Sequence, residues 1–194
     1  IINGEKQTGV TSFIINEVID TGNILLQKSV PIDEDETAGT LHDKLQESGS
    51  QLLLETLKLL ESGEQKGISQ NTLFIDEKDL KPAPKIFKQT CKINWDNTAK
   101  DVNNAIRGFS PYPGAWTILQ KGDEKFVFKI FSAKIINECH CLQSGTIVLK
   151  NNTIQIAVRD GFISPIEIQI EGKKRMNIHD FTNGFSFANV IIAD

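Results

Sequence analysis

Two apolar, β-branched runs, Val10 to Ile19 and Ile24 to Ile32, stand either side of Asp20-Thr21-Gly22. An acidic cluster and a leucine-rich segment follow at once. This succession constrains the first third of the chain more than any other feature. Runs of this composition are strands, and Asp-Thr-Gly between them reverses the chain. The expectation is a hairpin, its first arm a buried strand and its second closed by Pro31. Asp33 to Glu36 precede a helix, where the macrodipole favours negative charge, with Thr37 or Asp35 as cap. Leu41, Leu45, Leu52, Leu53, Leu57 and Leu60 fall on one helical stripe, which predicts a helix running towards Ser62. Gly63 is its stop signal.

The chain has 194 residues, enough for one large domain or two small ones. An apolar fraction of 39% and a charged fraction of 24% are those of a globular protein in water. No apolar run approaches the roughly 20 residues that span a bilayer, and no basic-then-apolar leader opens the sequence. The three cysteines are an odd count, which disfavours a disulfide framework and fits a reducing compartment. Cys139-His140-Cys141 has the residue types of a metal site. Neighbours on a strand point to opposite faces, however, so a strand end or loop is the favoured reading. No metal is expected.

Charge is uneven. Residues 1–84 hold 7 Lys/Arg against 15 Asp/Glu, a net of −8, and residues 85–194 hold 14 against 10, a net of +4. A basic half joined to an acidic one suits contact with a polyanion, although a solvated basic face has the same composition.

Further along, Gly63, Gly67, Pro82 and Pro84 mark a linker over residues 63–87. Thr98-x-x-Asp101 resembles a capping box, with Val102, Ile106 and Phe109 on one face of a short helix. Pro111 and Pro113 end it. From Trp116 the pattern is short strands at Phe126–Ile130, Thr146–Leu149, Thr153–Val158 and Ile166–Ile170. Regular spacing of this kind suggests a small barrel or sandwich.

Few residues stand out for chemistry by type alone. Asp20 is a turn aspartate. His42 lies beside the leucine stripe and His179 in a late turn, and neither is assigned chemistry. Lys85, Lys88 and Lys92 form one basic group, and Lys173, Lys174 and Arg175 another. Either group suits phosphate contact or plain solvation. Arg107 is read evenly as a phosphate contact or as a structural ion pair or carbonyl cap. Trp95, Phe109, Tyr112 and Trp116 could stack on bases, but core packing is favoured for all four.

The run Val10-Thr-Ser-Phe-Ile-Ile-Asn-Glu-Val-Ile-Asp-Thr-Gly-Asn-Ile-Leu-Leu-Gln, continuing through Pro31-Ile-Asp-Glu-Asp-Glu-Thr-Ala-Gly-Thr-Leu-His-Asp-Lys-Leu45, resembles the second half of the methionyl-tRNA formyltransferase catalytic domain. Ile93-Asn94-Trp95, and Arg107-Gly-Phe-Ser-Pro-Tyr-Pro-Gly-Ala-Trp116, resemble the start of the same family's C-terminal domain.

The resemblance implies an α/β remnant over residues 1–62, the last hairpin and helix of a doubly wound formyltransferase domain. It implies a linker over 63–87 and a small OB-like β-barrel domain over 88–194. The family's catalytic Asn and His lie upstream of Val10, so the chain is expected to be a fragment, inactive by itself. Its unpartnered leucine stripe would be exposed or covered by a second copy. The intact enzyme would move a formyl group from 10-formyltetrahydrofolate, a cosubstrate, to the amino group of initiator methionyl-tRNA, in the cytoplasm. In the family the Asp of the Asp-x-Gly turn works beside the Asn and His, and Asp20 matches that position. Folate-contacting residues remain unassigned. The family's interdomain segment lines the tRNA path, which points to Lys85, Lys88 and Lys92, with Arg107, Lys173, Lys174 and Arg175 as further candidates. The alternatives are a sugar-nucleotide N-formyltransferase, which uses the same donor, and a non-catalytic RNA-binding module.

Overall fold

A computed structural model describes residues 1–63, 66–73, 81–150 and 153–193. The chain divides into two compact units, each assembled from separate stretches. One comprises Glu5–Glu34 and Thr40–Lys85, and the other Ile1–Gly4, Asp35–Gly39 and Ile86–Asp194.

In the first unit, β1 (Gln7–Phe13) and β2 (Ile24–Pro31) pair antiparallel, with Gln7 opposite Pro31 and Phe13 opposite Ile24. The hairpin is thus present, but its first arm is not the buried strand Val10–Ile19. β1 begins three residues earlier and ends at Phe13, and its residues alternate between exposed and half-buried. Beyond it Ile15, Val18 and Ile19 are 87%, 65% and 85% exposed. A two-stranded ribbon offers one face for burial, so alternation wins over a continuous apolar run.

The predicted helix is α1 (Ala38–Glu61). It buries Leu41, Ser48, Leu52 and Thr56, a line spaced by seven and four. Thr56 Oγ1 donates to Leu52 O at 2.7 Å and lies 2.8 Å from the Ser12 hydroxyl, whose oxygen accepts from Leu26 N at 3.2 Å. The leucine stripe is wider than the ribbon beneath it. Leu53 and Leu57 remain 57% and 49% exposed and line an open apolar groove with Val10, Phe13 and Leu25. Gly63 follows the helix at φ +86°, its N–H bonded to Leu60 O, as an αL stop requires.

In the second unit a 3-10 turn, Gln89–Cys91, precedes α2 (Ala99–Gly108). Thr98 caps it as expected: its hydroxyl accepts from Asp101 N at 3.2 Å and donates to the Asp101 carboxylate at 2.7 Å. Val102, Ile106 and Phe109 are buried. The strands are β3 (Ala115–Lys121), β4 (Glu124–Ile136), β5 (Ile147–Lys150), β6 (Thr153–Val158), β7 (Gly161–Ile170), β8 (Met176–Asn177) and β9 (Val190–Ala193). They form one antiparallel sheet in the order β5-β6-β7-β4-β3-β9, with β8 on β7. The sheet curls: a Cβ on Gly145, just before β5, would lie 3.7 Å from Ile192 of β9, although those end strands share no ladder. Leu119, Phe128, Ile130, Ile154, Ile156, Ile163 and Ile168 fill its concave face under α2.

The sequence pattern missed β3, β8, β9 and α3 (Ile178–Gly184). His179 therefore lies in the first turn of a helix, not in a late turn, and its N–H is capped by Asn177 Oδ1 at 3.0 Å. Phe181 stacks on Phe185 at 4.7 Å and meets Phe187 edge-on at 5.7 Å.

Candidate functional site

Ten residues, 14–23, connect β1 to β2. Ile14 N donates to Asn23 O at 2.9 Å and closes the connection at its base. Gly22 is buried there. A Cβ on it would lie 1.4 Å from the Ile14 carbonyl oxygen, so no other residue fits without moving backbone. Asp20 has φ +59°, the left-handed region that costs most residues about 1–2 kcal/mol and that Asp and Asn tolerate best after glycine. Thr21 between them donates its hydroxyl to Val18 O at 2.9 Å. Each residue of Asp-Thr-Gly thus has a separate structural duty. The Asp20 side chain is exposed among exposed apolar neighbours, and its carboxylate has no hydrogen-bond partner among the described residues.

The turn is also held from outside. After α1 the chain returns alongside it, and Ile24 and Ile68 exchange two backbone hydrogen bonds, each 2.8 Å. Asn23 Nδ2 donates to Lys66 O at 3.0 Å. Gln70 Nε2 donates to both Asp20 O and Gly22 O at 2.8 Å. None of these clamping residues was found from the sequence. They lie in a mixed segment without periodicity, and only Gly67, at φ +53° against the Ile24 carbonyl, carried a local signal.

The basic candidates are differently placed. Lys85, Lys88, Lys92, Lys173 and Lys174 are exposed. Arg175 is held: its guanidinium meets the Glu167 carboxylate at 2.5 Å and lies 4.2 Å above the Phe131 ring. Arg107 is buried at 7% exposure. Nε and Nη2 donate to Asn104 Oδ1 at 3.0 and 2.9 Å, and Nη1 donates to Glu36 O at 3.0 Å. Lys129, which the sequence did not single out, lines a shallow groove with Lys88, Gln169 and Glu171.

Trp95 and Phe109 are in the core, and Trp95 Nε1 donates to Thr117 Oγ1 at 3.2 Å. Trp116 is half-buried, with Nε1 on Lys88 O at 2.7 Å. Tyr112 departs from the core reading: it is 86% exposed between Pro111 and Pro113. His140 packs on Phe162 at 4.4 Å with Nε2 2.8 Å from Gly161 O, while Cys139 and Cys141 are exposed. Among the described residues no three His, Cys, Asp or Glu side chains converge as metal ligands. No helix of these residues is long and apolar enough to cross a membrane.

Residues 1–57 match the formyl transferase domain, and residues 85–186 match the formyl transferase C-terminal domain. The methionyl-tRNA formyltransferase of Flavobacterium johnsoniae is 41% identical over 97% of this chain. That of Azobacteroides pseudotrichonymphae is 46% identical over 96%. The chain spans 59% of the length of each. A crystal structure of HypX from Aquifex aeolicus superposes with a TM-score of 0.65 at 20% identity, covering 95% of this chain and 32% of that one, which shows the shared fold. On these matches, the chain belongs to the formyl transferase family.

Proposed function

We propose that this chain is the C-terminal portion of a methionyl-tRNA formyltransferase. Residues 1–62 complete its catalytic domain, residues 63–87 link, and residues 88–194 form an OB-like barrel that meets tRNA. The observation that carries the reading is identity of 41% and 46%, over nearly the whole chain, to two proteins of that name. The reaction is acyl transfer in the cytoplasm. The amino group of methionyl-tRNA attacks the formyl carbon of 10-formyltetrahydrofolate, and a tetrahedral intermediate forms. The amine loses its proton, and the tetrahydrofolate nitrogen leaves with the electron pair of the broken C–N bond and takes up a proton in its place. Such a step needs donors for the oxyanion and an acceptor or relay for the proton. Asp20 supplies a carboxylate on an exposed, fixed turn, where it orients and charge-stabilises an imidazole or holds a water. Lys85, Lys88 and Lys92, with Lys129, Lys173 and Lys174, supply cations for the tRNA backbone. The bound state of Arg107 supports its structural role, and that of Arg175 a lesser part in tRNA contact.

The test is formyl transfer by the natural protein that contains this chain, with 10-formyltetrahydrofolate and either methionyl-tRNA or an amino-sugar nucleotide as acceptor. Formylated methionyl-tRNA is the expected product. Turnover confined to the sugar nucleotide would replace this reading with the sugar enzyme.

A further inference from the structure

We infer that Gln70 is a positioning residue for formyl transfer, acting through the turn that carries Asp20; the inference rests on the catalytic reading of Asp20. Gln70 lies 50 residues from Asp20 in sequence, yet its amide nitrogen bonds both carbonyls that flank Thr21, each at 2.8 Å. A neutral carboxamide has two N–H donors in a fixed fork, one for each oxygen. Glutamate has the same shape and, ionised, no donor at all.

The need for this clamp follows from the turn. The Asp20 carboxylate is exposed, so its direction is set by the backbone and not by packing around the side chain. That backbone is left-handed at Asp20 and persists only where its surroundings over-determine it. Within the connection itself, one hydroxyl bond, Thr21 to Val18, ties residues 18–21 together. Gln70 supplies the cross-link from a second segment. Its own backbone is fixed in a 3-10 turn, Gln70–Thr72, beside the paired Ile24 and Ile68. Without the amide, two carbonyls lose their donors and residue 20 is free to return to the right-handed region, which swings the carboxylate away. Misplacement of a reacting group by about 1 Å costs on the order of 100-fold in rate.

The experiment compares Gln70→Glu, Gln70→Ala, Asp20→Asn and the Gln70→Ala/Asp20→Asn pair in the natural protein that contains this chain. It measures kcat and KM for both substrates, with amide hydrogen exchange across the hairpin. Both Gln70 variants are expected to lose about 10- to 100-fold in kcat. Their KM values should hold within about twofold, the split that marks loss of an interaction specific to the transition state. Amides 20–23 should exchange faster while β1 and β2 keep their protection, which separates positioning from unfolding. The double variant should be no slower than Asp20→Asn, because Gln70 acts only through Asp20. If Asp20→Asn is inactive but both Gln70 variants keep full kcat, the positioning role is overturned and the Asp20 reading stands. If Asp20→Asn itself keeps full activity, the Asp20 reading fails and this inference falls with it. A double variant slower than Asp20→Asn alone would also overturn action through Asp20.

Discussion

The Ile14 carbonyl oxygen occupies the place where a side chain on residue 22 would begin, 1.4 Å from an ideal Cβ on Gly22. One residue further on, Asn23 O accepts the Ile14 N–H at 2.9 Å. The ends of the connection are therefore packed backbone to backbone. Gly22→Ala should push them apart at a cost of roughly 1–3 kcal/mol, the range for a forced backbone shift. Urea denaturation monitored by hydrogen exchange should find the loss in residues 14–24, with the curled sheet unaffected. Unchanged protection at Ile14 and Ile24 would contradict the close approach.

Asp20→Asn should separate conformation from charge. Asparagine tolerates φ +59° as well as aspartate does, so stability should change by less than about 0.5 kcal/mol. Asn lacks the charge and the proton-accepting oxygen, so formylation of methionyl-tRNA should fall below about a tenth of the parent rate, while tRNA affinity holds. Retention of more activity than that would remove Asp20 from the chemistry.

Replacing Lys85, Lys88 and Lys92 together by Ala should weaken tRNA binding through the backbone. The log–log salt dependence should flatten by about 0.9 for each phosphate that is no longer neutralised. Initiator and elongator tRNA should lose affinity alike, because phosphate contacts carry no sequence information. A salt titration with an unchanged slope would shift attention to Lys129, Lys173 and Lys174.

Arg107→Ala should behave differently. It leaves Asn104 Oδ1 and the Glu36 carbonyl without the donors they now have, in a site of 7% exposure. The cost should be on the order of 2–3 kcal/mol of stability, with no change in the tRNA salt slope. Denaturant titration and the same salt series distinguish a structural arginine from a phosphate contact.

Burial pushes the Cys91 thiol above its usual range, so it reaches its reactive thiolate only at higher pH. Cys139 and Cys141 are exposed. Iodoacetamide at pH 8 should therefore alkylate those two first, with Cys91 modified only after unfolding, as peptide mass mapping would read. Early modification of Cys91 would show that its pocket opens readily.

What could be read from sequence follows a physical pattern. α2 was legible because its cap and its apolar face both lie within a dozen consecutive residues, Thr98 to Phe109. β6 was legible for the same reason, with Thr153–Val158 set in the sequence between Asn-Asn and Asp-Gly. β9 was not, since Val190–Ala193 is four residues long and owes its strand character to pairing with β3. The leucine stripe of α1 predicted the helix but did not say which of its leucines are buried. Periodicity reports which residues share a face, not how broad the opposing surface is. At the candidate site, Asp20 and Gly22 carried a local turn signature, whereas Gln70 has meaning only once α1 has brought it back. A lone glutamine in an aperiodic segment has no local trace of that contact.

The latch formed by Lys66, Ile68 and Gln70 also sets an order of assembly. A nascent chain can pair β1 with β2 as soon as residue 31 is clear, because those contacts are local. Asp20 must wait. The bonds that fix its turn belong to residues made some 40 to 50 positions later, after the whole of α1. A polypeptide ending before residue 70 holds the aspartate and the glycine of this motif but has not yet acquired the shape that presents them.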